Sequence, residues 1–231
     1  MNELKKETRS FWNWLWKSES IWSYIVFLIL IFIIVKFIFL PGLSLAFGMG
    51  LSGLPLAIVE SSSMEHYALG YCIGYDSRTY ECLRKSSDYE ICGEKLDNFQ
   101  GFNLNEYWQT CGTWYEDNFN ISREQFSEFK LKNGFRKGDL MVIMNKGPIK
   151  VGDVIVFNAG KATPLIHRVV SLEPLQTKGD HNSEQLTSAN NIYKLDETEI
   201  NKNQVIGTAV LRIPYIGWVK LFFVELFKKI F

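Results

Sequence analysis

Three serines, Ser61, Ser62 and Ser63, stand in the run Val59-Glu60-Ser61-Ser62-Ser63-Met64-Glu65-His66, at the end of a short predicted strand, Leu56–Glu60. Serines populate loops for ordinary turn reasons, so the run alone says little. Its position after an apolar strand and before Met64, a residue with no turn role, gives it more weight. A serine hydroxyl is a poor nucleophile without an adjacent base. Imidazole titrates near neutrality and can take that proton and return it. The chain has three histidines, His66, His167 and His181. Neither they nor the cysteines, spaced Cys72-x9-Cys82-x9-Cys92-x18-Cys111, follow a metal-ligand pattern, so no metal or other cofactor is expected.

These residues need elements to hold them. The 231 residues suffice for one moderate domain plus appendages, and 25 basic against 25 acidic residues leave no field to favour nucleic acid. Charge is unevenly spread: residues 21–59 hold one charged side chain, Lys36. Ile21–Leu40 is long enough as a helix to cross a bilayer, with Trp22 and Tyr24 at one end as interfacial aromatics. Lys5, Lys6, Arg9 and Lys17 precede this anchor, and no Lys or Arg lies between Lys36 and Arg78. The positive-inside rule therefore puts residues 1–20 in the cytoplasm and the remainder outside, in a single-pass protein. Phe11–Trp16 is expected to lie along the inner interface as an amphipathic turn or two. Pro41, Gly42, Gly48, Gly50, Gly53 and Pro55 argue against a second straight span in the membrane-proximal segment 41–66. A membrane hairpin there would return the chain to the cytoplasm.

Short β-branched runs follow: Leu140–Met144, Val154–Phe157, Leu165–Leu172 and Gln204–Arg212, separated by Gly-Asp turns. They predict a mainly β domain over 136–213. Residues 67–135 differ in texture and read as an insertion holding all four cysteines. On an outer face these suit two disulfides, with three pairings open. Ser122-x-x-Gln125 predicts a capped helix over about 123–130. Asn120-Ile121-Ser122 is a glycosylation sequon. Residues 214–231 have the periodicity of an amphipathic helix lying in the membrane interface.

The nucleophile run with KGDLMVI (137–143), VGDVIVF (151–157), IHRVV (166–170), TKGDHN (177–182) and VIGTAVLRIPYIGW (205–218) resembles the signal peptidase I family in its successive blocks. The resemblance covers residues 20–66 and 135–218. His167 before Arg168-Val169 matches the archaeal and endoplasmic-reticulum branch, where the bacterial branch has Lys. It implies Ser63 as nucleophile, His167 as general base, and an oxyanion site of Ser61 with the Ser63 N–H. Asp180 is the leading candidate to orient His167. The pattern's second Asp is replaced by Leu186, which leaves Glu184 and Asp196 as substitutes. Met64 is expected to pack beneath the serine, His181 to be a turn residue, and His66, where the family often has Pro, to be an exposed loop residue.

The resemblance further implies a membrane-bound serine endopeptidase that removes signal peptides from secretory preproteins at the cell or endoplasmic-reticulum membrane. Its partners would be those preproteins, the lipid bilayer and the translocon, with no nucleic acid. Two alternatives stand beside it: a non-catalytic membrane receptor or scaffold with a degenerate protease domain, and a membrane serine protease of restricted specificity.

Overall fold

The computed structural model describes residues 2–50, 55–75, 82–160, 163–189 and 195–222. It separates into two compact units, Met1–Leu54 and Pro55–Phe231.

In the first unit, helix α1 (Asn2–Lys17) is longer than the turn or two expected around Phe11–Trp16. Ser20 caps α2 (Ile21–Ile34) through its side chain. The helical path then runs through a π-turn, Val35–Phe39, into α3 (Leu40–Ala46). The expected end at Leu40 is therefore passed: Pro41 cannot donate to the preceding turn, and the looser π-turn before it absorbs the missing bond. Ile21–Ala46 is 26 residues, long and apolar enough to cross a membrane.

The second unit is built on two antiparallel sheets. The larger has the order β1-β5-β9-β6-β7-β8, from β1 (Leu56–Ile58), β5 (Leu140–Met144), β6 (Val154–Phe157), β7 (Leu165–Leu172), β8 (Leu175–Lys178) and β9 (Val205–Ile213). The Gly-Asp corners work as sequence chemistry dictates. Asp139 accepts the Arg136 N–H at 2.7 Å and Asp153 that of Lys150 at 2.9 Å. Gly138 and Gly152 adopt φ of 87° and 89°, and a Cβ on either would strike Trp218 or Phe129 respectively.

The described residues within 67–135 form a folded layer whose core also takes in Val170 of β7. The small sheet β2 (Leu69–Tyr75), β3 (Cys82–Ile91) and β4 (Glu94–Leu96) is followed by α4 (Leu104–Phe119) and α5 (Arg123–Glu128). Asn103 with Glu106 and Ser122 with Gln125 make capping boxes for the two helices. Asn120, the sequon asparagine, is exposed and ends α4 in the left-handed conformation. Cys72 pairs with Cys82 and Cys92 with Cys111, which settles the open pairing as sequential. Tyr107, Tyr115, Ile91 and Phe126 are fully buried here. Residues 218–222 open a helix; the rest of the amphipathic helix expected over 214–231 lies outside the described residues.

Candidate active site

Adjacent residues on a strand point to opposite faces, and β7 uses this at His167 and Arg168. The His167 side carries Val169, which packs with Ile155, Leu175 and Ile200. The Arg168 side faces the insertion, where the guanidinium lies over Phe126 at 4.9 Å. Both side chains are buried.

Ser63 comes from the loop after β1. Its Oγ lies 2.8 Å from His167 Nε2 and 3.2 Å from Ser61 Oγ. The loop is held by backbone bonds: His181 N–H donates to Ser63 O at 2.9 Å, and Phe135 N–H to Met64 O at 3.0 Å. Met64 is buried, and its sulfur accepts the Asp180 N–H at 3.4 Å. Gly179 passes so close that a Cβ there would sit 2.8 Å from Ser63 O and 3.0 Å from His167 Nε2. No side chain larger than hydrogen fits beside the pair.

The other imidazole nitrogen, Nδ1, is bonded to Glu197 Oε1. Glu197 is fully buried, and Thr177 Oγ1 donates to the same oxygen at 2.8 Å while the Leu186 N–H donates to Oε2 at 2.8 Å. A carboxylate only accepts, so Nδ1 carries the ring proton and Nε2 is left as acceptor toward Ser63. That tautomer is the one a general base requires.

Asp180 does not touch His167, which corrects the expectation drawn from the sequence. Its carboxylate is engaged from the opposite side of β7: Arg168 Nε and Nη2 donate to it at 2.9 and 2.6 Å. His66 Nε2 lies 3.0 Å from Oδ2, and Tyr115 OH donates to Oδ1 at 3.2 Å. Burial alone would raise its pKa. The Arg168 charge and the bonds from His66 and Arg168 outweigh burial and hold the carboxyl well below the usual range. Arg168 spends its remaining donors on the carbonyls of Lys130, Leu131 and Gly152. Of the substitutes considered, Glu184 is exposed and Asp196 bonds Thr198. His66 is buried, with its ring stacked on Tyr107, not exposed as expected.

Sequence reasoning stopped one residue short of Glu197. The run Leu195-Asp196-Glu197 lies outside any strand and carries no periodic signal that would single out the glutamate; its buried-exposed-buried order is seen only in the structure.

Serine, imidazole and carboxylate in hydrogen-bonded series are a known constellation for acyl transfer. This chain is similar to catalytic subunits of the signal peptidase complex. Over 105 residues it is 30% identical to the signal peptidase complex catalytic subunit SEC11 of Pyricularia oryzae, and 34% identical to that of Pyrenophora tritici-repentis. The Colletotrichum graminicola catalytic subunit is 32% identical over the same length. Each match covers 41% of this chain and 59% of the signal peptidase subunit, so the chain spans about three-fifths of the length of the curated relatives it matches. No family model matches the chain.

Proposed function

We propose that this chain is a membrane-anchored serine endopeptidase that removes signal peptides from secretory preproteins. The observation that carries this reading is the bonded series Ser63 Oγ, His167 Nε2, His167 Nδ1 and Glu197, in a chain similar to signal peptidase catalytic subunits. Ser63 Oγ attacks the scissile carbonyl as His167 Nε2 takes its proton. Glu197 holds the resulting imidazolium. Ser61 Oγ and the Ser63 N–H stabilise the oxyanion. His167 then passes the proton to the leaving amine, and water, activated by the same imidazole, cleaves the acyl-enzyme.

Beside Ser61 runs a groove lined by Ile58, Val156, Pro164, Leu165 and Ile166. One wall is β1, which within the sheet pairs only with β5 among the described residues. An extended substrate can add a strand at this edge, with small side chains at the first and third positions before the cut. Anchorage through Ile21–Ala46 would confine the enzyme to substrates at the bilayer, with the catalytic domain on the extracytoplasmic face and the translocon as a source of substrate. No observation favours the scaffold reading.

Cleavage of a model preprotein by detergent-solubilised wild type, Ser63→Ala and His167→Ala tests the proposal. Wild type is expected to release the signal peptide and both variants to be inactive. A wild type that cleaves no preprotein, or variants that cleave as wild type does, would overturn it.

A further inference from the structure

The layer formed by residues 67–135 takes no part in the bond-making steps above, yet its contacts converge on the Ser63 loop. α4 presents Tyr107, Cys111 and Tyr115 at four-residue spacing, on one face, and all three are buried. Tyr107 OH donates to Asp180 O at 2.8 Å, and Tyr115 OH to the Asp180 carboxylate. The Tyr107 ring also stacks on His66, three residues after Ser63, with centroids 3.6 Å apart. Cys111, between the two tyrosines, is bonded to Cys92 in the turn after β3. Cys92 N–H donates to His181 O at 2.9 Å, and His181 N–H donates to Ser63 O at 2.9 Å. Two hydrogen bonds thus join Cys92 to the carbonyl of Ser63, and one disulfide ties the same turn to the helix that grips Asp180. Cys92 has a φ of 53°, a left-handed conformation that a side-chain-bearing residue keeps only when its surroundings impose it.

We infer that the Cys92–Cys111 disulfide is a positioning element for Ser63, and that its reduction by a dithiol turns the site off without unfolding the large sheet. This rests on the reading of Ser63 as nucleophile. In the reduction, a thiolate of the dithiol attacks the sulfur of Cys92, the less buried residue of the pair, the S–S bond breaks, and Cys111 leaves as a thiolate and is protonated. The second thiol of the reagent then displaces Cys92. The protein gains two electrons and two protons, and the reagent becomes a disulfide. Cys72–Cys82 bridges the paired strands β2 and β3 and serves as the internal control.

The test uses full-length protein in detergent. Amide hydrogen exchange at residues 61–66 and 179–183 is followed with β5 and β6 as reference, alongside the rate of Ser63 acylation by a p-nitrophenyl ester, which transfers its acyl group to Oγ and releases p-nitrophenolate. In the C72A/C82A double variant, which keeps Cys92–Cys111 alone of the two bridges, a dithiol is expected to speed exchange at 179–183 by about tenfold or more while β5 and β6 hold. Acylation should fall by about 10–100-fold and return on reoxidation. The C92A/C111A double variant should behave as the reduced form, and oxidised C72A/C82A as wild type. Unchanged exchange at 179–183, equal loosening of β5 and β6, or unchanged acylation would overturn the inference. Oxidised wild type that does not acylate at all would instead sink the protease reading, and the exchange data would still decide whether the bridge holds the loop.

Discussion

Glu197→Gln separates the orienting carboxylate from every other acid in the molecule, and its outcome follows from fixed donors. The Leu186 backbone N–H points at Oε2 and cannot reverse its role. It therefore keeps the amide oxygen of the glutamine at that position. The NH2 group then faces Thr177, whose hydroxyl can turn to accept, and His167 Nδ1. Nδ1 must become the acceptor, so the ring proton moves to Nε2 and points at Ser63, which loses its base. In serine hydrolase triads the equivalent wrong-tautomer change lowers kcat about 10⁴-fold, equivalent to about 5 kcal/mol of barrier. Steady-state cleavage of a preprotein should show that loss in kcat with KM and Tm nearly unchanged, because volume and backbone bonds are retained. A Glu197→Gln enzyme within tenfold of wild type would refute the argument, and would mean that His167 is oriented by something other than this carboxylate.

Asp180→Asn should instead damage the fold, because it leaves the fully buried Arg168 charge without its partner. Breaking such a pair costs about 3–5 kcal/mol, and a lowered Tm by about 10 °C in detergent is expected. The same carboxylate sets an acid limit. Its folded pKa is depressed, so its contribution is full above the unfolded value of about 4 and is lost as pH falls below it, which unfolding midpoints between pH 7 and 3 would show. Gly179→Ala should lower kcat about 100-fold with the fold retained, since the new methyl displaces Ser63 or His167; kinetics beside a melting curve would detect it. Ser61→Ala should cost about 10²–10³ in kcat if its hydroxyl holds the oxyanion, with little change in KM.

The sheet strands were legible because β-branched runs between Gly-Asp corners have few other ways to fold, and β5, β6 and β7 stand where Leu140–Met144, Val154–Phe157 and Leu165–Leu172 predicted. α4 was not, since its aromatic residues suit strand and helix alike, and its start is signalled only by Asn103 and Glu106. The serine and histidine were readable as a pair only through family resemblance. Asp180 was a reasonable candidate from its motif, but sequence spacing does not say which face of β7 an acid approaches. That face is decided by Arg168, whose cation claims the nearer carboxylate and leaves His167 to Glu197.

The His167-Arg168 pair has a consequence for how the chain finds its strand pairing. In the native ladder His167 lies opposite Ile155 and Arg168 opposite Val154. A slip of one residue would turn the guanidinium toward Glu197 and the imidazole toward Asp180, leaving the three carbonyls that receive Arg168 without donors. Apolar strands tolerate such slips because one aliphatic side chain replaces another at small loss. Here a slip by one residue buries charge on the wrong face, so the dipeptide penalises that misalignment of β7 far more than an aliphatic pair would.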